Sequence, residues 1–496
     1  MKNKKLFILL LINILLITLC SCGSKQDTYI DSIDEINGQD MGCMSGSIFD
    51  KVIEEYFPDS NIIYFSSRSE LLLGLDSNKI VGFISDEPVA MMMVARNEDV
   101  SYLDEAIGSV EYGICFAEKA SDKLEQFNTF LAEKKESGYL EQLQNKWINK
   151  EGASQKKVVH ELTGENGTLT CVTTPDAAPF SFYSDSTFEG YEIELLNDFC
   201  FEYGYGLQIE TVSFDALLTS IALNKYDIAC NGIYITEERK KSVNFCDPTY
   251  SARNVVMIKS SSSVDNRSFI EKIQDSFYKN FIEEDRYLIL VRGCLTTLLI
   301  SVMSIIFGSL LGFIIYLISL RYKKFKDIAD FIQRTLIRLP AAIILMILYY
   351  VIFNNSSISA SIVAIIGFSM MFSFTSYGLL KVGVNTVDRG QGEAALALGY
   401  NNWYSFIRVI LPQALKVVLD NYLNEIVSLL KNTSIVGYIS ISDITRASDI
   451  IRGRTYDALL PLFTVAIVYY ILATLIIKVL RIPFENYINS KVKDHD

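Results

Sequence analysis

Five stretches in the second half of this chain, 288–320, 336–353, 358–384, 410–441 and 459–480, are apolar for about twenty residues each, the length that carries a helix through a bilayer core. In lipid every backbone amide must be satisfied internally, so such runs fold as helices packed together, and an all-α membrane domain of about five spans is expected. Upstream of Tyr287 the sequence is polar and acidic, with turn residues and short apolar runs. The averages over 496 residues, 50% hydrophobic and 21% charged, therefore describe neither half. A net charge of −13, with no basic patch in the polar half, excludes a nucleic-acid-binding surface.

Lys2, Lys4 and Lys5 precede an apolar run from Leu6 to Leu19, too short for a comfortable span, which reads as an export signal. It ends at Leu19-Cys20-Ser21-Cys22, which resembles the lipobox of bacterial lipoproteins and implies lipidation at Cys22; an uncleaved signal anchor is the alternative. Either places the following residues outside the cell. Of nine cysteines, Cys43, Cys115, Cys171, Cys200, Cys230 and Cys246 fall in the exported half without C-x-x-C spacing. Buried thiols are expected, with disulfides the alternative, and no metal site is expected.

Charge orients the membrane half. The connection from Arg321 to Arg334 is strongly basic and the next, 354–357, is uncharged, so the positive-inside rule puts the first in the cytoplasm. The chain then enters the membrane from outside, and an odd number of spans leaves Lys491 and Lys493 inside.

The same orientation makes 385–408 cytoplasmic. There the chain reads Gln391-Gly392-Glu393-Ala394-Ala395, then Gly399, then Leu411-Pro412. Strong helix formers, a glycine turn and a second short helix up to the proline would form a projecting knob. Glu-Ala-Ala, three residues, Gly and a later Leu-Pro resembles the EAA loop of ABC importer permeases. That resemblance implies that Gln391, Glu393, Ala394, Ala395, Gly399, Leu411 and Pro412 couple a cytoplasmic ATPase to the membrane helices. Pro412-Gln413-Ala414 and Lys431-Asn432-Thr433-Ser434 are similar to the polar amino-acid uptake group, whereas Arg338-Leu339-Pro340 lacks that group's Gly-Thr.

From Leu169 to Ile258 β-rich runs alternate with helical patterns, which predicts α/β lobes with largely parallel sheets. Ala178-Pro179-Phe180, Gly190-Tyr191-Glu192-Ile193-Glu194, Tyr226-Asp227 and Ile235-Thr236-Glu237-Glu238-Arg239 resemble the first lobe of amino-acid-binding proteins of the periplasmic, family 3 type. Elements similar to the second lobe come earlier: Ser45-Gly46-Ser47, Val81 to Pro88, and a closing helix from Gly138 to Trp147. The expected fold is a circularly permuted two-lobed α/β domain ahead of a type I importer permease; a truncated tandem is the rival. The resemblance implies a carboxylate clamp by Arg239, an ammonium contact by Asp86, an aromatic wall at Phe214, and contacts from Ser45, Gly46, Ser47, Gly232 and Tyr234. Ala177 and Tyr234 depart from the family pattern, so ligand identity is not inherited.

The resulting layout is signal 1–22, second lobe with closing helices 23–150, linker 151–167, first lobe 168–262, linker 263–286, permease 287–484 and cytoplasmic tail 485–496. No phosphate-binding G-x-x-x-x-G-K-[ST] loop occurs, so the chain is expected to be no enzyme and to hold no cofactor, with ATP bound by a partner subunit dimer. A second permease copy, membrane lipid and a polar amino acid as the small-molecule ligand complete the expected partners, in a bacterial plasma membrane. The alternatives are a ligand-gated channel or an amino-acid receptor using the same lobes.

Overall fold

Short buried strands separated by amphipathic helices dictate layered α/β structure, and the soluble half follows that rule twice. The computed structural model describes residues 29–97, 99–148, 160–184, 187–212, 214–260, 268–353, 358–457 and 459–493. The expected signal with Cys22, and most of the 151–167 linker, lie outside the described residues. Two compact units emerge: 1–108 with 253–264, and 109–252 with 265–496.

The first unit alternates β1 (Asp40–Met44), α1 (Phe49–Tyr56), β2 (Asn61–Phe65), α2 (Arg68–Asp76), β3 (Gly82–Asp86), α3 (Glu87–Arg96) and β4 (Val100–Leu103). β1 lies parallel to β2 and β3, and residues 254–259 add an antiparallel strand between β3 and β4. β1 and β3 are buried almost throughout, as strands covered on both faces are. Gly42 lets the covering layer approach: a Cβ there would stand 2.5 Å from Ile80 Cδ1 and 2.6 Å from Leu71 Cδ2.

The second unit opens with β5 (Ser109–Tyr112), β6 (Cys115–Phe116), α4 (Ser121–Glu136) and α5 (Tyr139–Trp147). After the connection come β7 (Thr168–Thr173), the hairpin strands β8 (Asp176–Ala177), β9 (Ser181–Ser184) and β10 (Thr187–Glu189), then α6 (Tyr191–Glu202) and β11 (Gly206–Thr211). α7 (Phe214–Ala222), β12 (Ile228–Ala229), β13 (Asn244–Phe245) and β14 (Tyr250–Lys259) complete the soluble half. The sheet order is β11-β7-β12-β6-β13, with β6 antiparallel to both neighbours. The order in the first unit is β2-β1-β3-β14-β4, so each sheet has its antiparallel strand in the same fourth place.

α5 is fastened to α6 by one buried carboxylate. Glu194 accepts from Lys146 Nζ at 2.6 Å and from Trp147 Nε1 at 2.8 Å. The described cysteines are free thiols, and Cys171 Sγ and Cys230 Sγ lie 3.5 Å apart in the core of the second sheet.

The membrane half comprises α8 (Phe269–Phe277), α9 (Tyr287–Arg321), α10 (Lys323–Leu336), α11 (Ala341–Ile347), α12 (Ala360–Thr386), α13 (Arg389–Ala397), α14 (Asn402–Ser405), α15 (Leu411–Asn432), α16 (Ile444–Thr455) and α17 (Leu459–Lys493). Among the described residues, three stretches are long and apolar enough to cross a membrane: α9, α12 and Leu459–Pro483 of α17. A fourth span results if α10 and Ala341–Ile352, bent by 107°, are one. Three or four of the expected five are thus candidate spans by length and composition. α15 has 22 residues but carries Lys416, Asp420, Glu425 and Lys431, which take it out of the apolar class. α16 was not anticipated, because Arg446, Asp449, Arg452 and Arg454 hide its buried Ile444, Ala447 and Ile451.

Small residues bring α9 and α12 together. Gly293, Thr297, Ser301, Ser304, Gly308 and Gly312 are buried along one face of α9, the kind of seam that lets helix backbones approach in lipid. A Cβ at Gly312 would lie 2.5 Å from Ser373 O and 2.7 Å from Ser376 Cβ. Gly312→Leu is predicted to force the pair apart, costing more than the roughly 1–3 kcal/mol of ordinary overpacking. Thermal unfolding of the purified chain in detergent should drop by several degrees, and an unchanged midpoint would count against this packing.

Within the second unit the soluble lobe meets the helices through hydroxyl groups. The Tyr226 hydroxyl hydrogen-bonds with Tyr349 Oη at 3.1 Å and with Ser440 Oγ. Lys225 Nζ stands 4.1 Å from the Tyr349 ring centroid, and the Arg446 guanidinium donates to Val212 O.

Candidate functional sites

Parallel strands leave their carboxyl ends facing a crevice where α/β folds usually hold ligands. In the first unit, Ser45, Gly46 and Ser47 form the turn leaving β1 at that edge. Ser45 N donates to Phe65 O at 2.9 Å, Ser47 N donates to Met44 O at 3.0 Å, and Gly46 has φ +80°. Asp86 ends the neighbouring β3 at the same edge, is 3% exposed, and makes no side-chain capping bond to the helix it precedes. These four residues are therefore grouped.

In the second unit the corresponding edge carries Asn231 and Gly232 just beyond β12. Gly232 N donates to Glu192 Oε2 at 2.9 Å. Its φ is +61°, and a Cβ would meet the Phe180 ring at 2.9 Å, so both backbone and space require glycine. Tyr234 is buried, with its ring centroid 5.2 Å from that of Tyr112 and its backbone bridged to the same residue. Arg239 opens the 3-10 turn Arg239–Lys241; its N donates to Thr236 Oγ1 at 3.2 Å and its Nη1 to Tyr234 O at 3.1 Å. Burial lowers the Arg239 pKa from its ordinary value, but a guanidinium stays charged in proteins. Phe214 starts α7 and packs on the Val212, Leu217 and Ile221 cluster, so its ring contributes to the core. The structure thus sets Gly232, Tyr234 and Arg239 on one segment after β12, with Phe214 on another element.

Three residues at this edge escaped the sequence reading. Asn231 is 1% exposed, and its Oδ1 accepts from Thr174 N at 3.2 Å and Thr174 Oγ1 at 2.7 Å, while its Nδ2 is buried without a partner. Tyr112 is fully buried, its ring 4.5 Å from that of Phe180, while Ala177, one of the two departures from the family pattern, is buried as well. Glu192 is fully buried beneath Gly232. The signal for Glu192 was present: acids at positions 192 and 194 lie on different faces of a helix whose first six residues are otherwise apolar, so one or both had to be buried and paired.

Burial pushes the Glu192 carboxyl up to about 7, against the pull of the Gly232 and Asn231 N–H groups. Its folded pKa lies above the unfolded 4.5, so both states hold the proton below that pH and only the unfolded state releases it between 4.5 and about 7. Stability is therefore predicted to fall as pH rises through that window, by about 3 kcal/mol at roughly 1.4 kcal/mol per unit. Glu192→Gln should remove this part of the slope. Unfolding of both proteins at pH 5 and pH 8 checks it, and parallel slopes would refute it.

The second site is the loop between α12 and α15. Asp388 Oδ1 caps α13 by accepting from Gly390 N at 2.7 Å. Gly399, at φ +88°, turns the chain, and Asn401 Oδ1 caps α14 by accepting from Tyr404 N at 2.8 Å. A π-helical segment, Phe406–Ile410, joins α14 to α15, with Leu411 and Pro412 in its first turn, where proline is tolerated. Ala395 is buried, whereas Gln391, Glu393, Ala394 and Gly399 are exposed. Gln413 Nε2 donates to Gln391 Oε1 at 3.3 Å across the loop. Leu398 is 78% and Trp403 57% exposed, an apolar tip of the kind that marks a protein contact.

Known proteins are similar to parts of this chain. Residues 169–410 match the bacterial extracellular solute-binding proteins, family 3. A Rickettsia felis protein named for glutamine transport is 32% identical over 196 residues, covering 38% of this chain and 89% of the relative. The arginine transport system permease protein of Bacillus subtilis is 31% identical over 38% of this chain and 87% of its own length. The chain belongs to the permeases of amino-acid ABC transporters. Among solved structures, an amino acid ABC transporter crystallised with histidines aligns at 25% identity and a TM-score of 0.38, covering 45% of the permease and 99% of that chain. As a permease with a solute-binding domain on the same polypeptide, the molecule is an integral membrane protein and a non-catalytic component. The solute-binding match begins at Leu169, in β7.

Proposed function

We propose that this permease imports a polar α-amino acid, captured by its own two lobes outside the cell and driven by a separate ATP-binding subunit dimer that alone binds ATP. A zwitterion needs a cation for its carboxylate and an anion for its ammonium. Arg239 is assigned to the first and Asp86 to the second, with Ser45, Gly46, Ser47 and Gly232 supplying N–H and hydroxyl groups and Tyr234 a wall. The relatives are named for glutamine and for arginine, so the side chain carried is left to the pocket's own chemistry.

The reading is carried by the 388–412 loop, whose glycine turn presents Leu398 and Trp403 to solvent. In this reading the loop is cytoplasmic, and Gln391, Glu393, Ala394, Ala395, Gly399, Leu411 and Pro412 shape the knob against the ATPase. Ionisable groups within membrane segments face water-filled paths, and the charged side of α15 is assigned to the solute pathway against a second permease copy. The common strand order of the two sheets supports a circular permutation: each antiparallel strand comes from the chain that forms the other sheet, and α5 is followed by β7. A ligand-gated channel would have no use for the knob.

The test is reconstitution in liposomes with the cognate ATP-binding subunit. ATP-dependent accumulation of a labelled polar amino acid is expected. Ligand-evoked ion current without accumulation would replace the importer by a channel.

A further inference from the structure

The segment joining the soluble lobe to α9 is more than a tether. Ser268 and Glu271 form a capping box that starts α8: Ser268 N donates to Glu271 Oε2 at 2.7 Å, and Glu271 N donates to Ser268 Oγ at 3.3 Å. Beyond α8 a π turn, Tyr278–Ile282, and a 3-10 turn, Glu283–Asp285, lead directly into α9.

One side of this segment is locked to the turn between α16 and α17. Asn280 is fully buried; its Nδ2 donates to Asp457 Oδ2 and its Oδ1 accepts from Thr455 Oγ1, both at 2.7 Å. Arg286 is 6% exposed and pairs with Glu284 at 3.0 Å, and Glu284 also pairs with Arg454. The segment therefore has a fixed rotational setting.

The other side is apolar and uncovered. Ile270, Ile273 and Phe277, at the i, i+3, i+7 spacing of one helical face, are 66%, 44% and 51% exposed. Tyr278 and Ile282 extend this surface. Past the exposed acidic turn Glu283–Asp285 it is followed by exposed Leu288, Val291 and Leu295 of α9, which must face lipid if α9 crosses the bilayer. An amphipathic helix so placed suits the boundary between headgroups and acyl chains.

We propose that α8 is an interfacial lipid-binding anchor, its Ile270, Ile273 and Phe277 face inserted among the acyl chains of the outer leaflet. The proposal rests on reading α9 as a span. The anchor fixes the depth at which α9 begins and, through the Asn280 lock, the level of the α16–α17 turn.

The test uses the full chain in phosphatidylcholine liposomes carrying lipid brominated near the carbonyl end, with Ile273→Trp and Lys272→Trp read against the two native tryptophans. Ile273→Trp should lose at least about twofold more fluorescence to brominated lipid than Lys272→Trp, with the order reversed for aqueous acrylamide, as an interfacial helix requires. Equal acrylamide quenching of the two would overturn the proposal. So would an Ile273→Trp signal insensitive to both quenchers, with Ile273→Cys cross-linking between copies, because a second protein would then cover the face. Leu295→Trp separates the premises: if brominated lipid leaves it bright as well, the reading of α9 as a span fails, and the anchor with it.

Discussion

Arg239→Ala should weaken amino-acid binding by about two to three orders of magnitude in calorimetry on the full chain in detergent. A buried, hydrogen-bonded charge pair that loses one partner costs about 2–5 kcal/mol, and each 1.4 kcal/mol is tenfold. The guanidinium is already aligned, with Nη1 on Tyr234 O and the backbone of its turn held by Thr236. Arg239→Lys should recover only a small part of the affinity, since a lysine lacks the planar fork that meets both carboxylate oxygens. Affinity retained in Arg239→Ala would move the carboxylate site elsewhere.

Leu398→Asp should lower ATP-driven uptake to below about a tenth of wild type while leaving amino-acid binding unchanged. Leu398 is 78% exposed at the apex of the Gly399 turn, so the substitution leaves the loop's own packing intact. A buried charge against a partner's apolar groove removes a contact of hot-spot size, about 2 kcal/mol or more. Substrate-stimulated ATP hydrolysis should fall in parallel. Uptake at the wild-type rate would show that the knob does not carry the coupling.

The sequence reading succeeded where a physical constraint acts over a short stretch. The Glu-Ala-Ala run and Gly399 prescribe a helix and a turn, and the structure forms them, but Pro412 does not end the second helix: α14, the π-helical segment and α15 run on through it, with the proline in the first turn of α15. The parallel pairing of β7 was legible in the β-rich runs between Leu169 and Ile258, whereas the segments of β1 and β3 were placed by resemblance alone. Long-range demands were less visible. α16 reads as a polar connection because two of its arginines find partners distant in sequence, Glu284 for Arg454 and the Val212 carbonyl for Arg446. α15 reads as an apolar span because its leucines and valines are conspicuous, yet Lys416, Asp420, Glu425 and Lys431 interrupt them, while Val418, Leu423, Leu429 and Leu430 are buried in a helix that packs on α12 and α17. Glu192 and Asn231 share the same difficulty: a buried polar group is explained by its partner, and the partners lie some forty to sixty residues away.

The hydroxyl cluster of Tyr226, Tyr349 and Ser440 has a kinetic meaning. A binding protein that diffuses freely must find its permease, and the rate of that search depends on how much of it is present. Here the lobe bearing Arg239 is already seated on the helices through Tyr226 and Val212. The encounter is intramolecular, at an effective concentration set by geometry rather than expression. Every copy of the chain carries its binding domain in fixed one-to-one stoichiometry with its membrane helices.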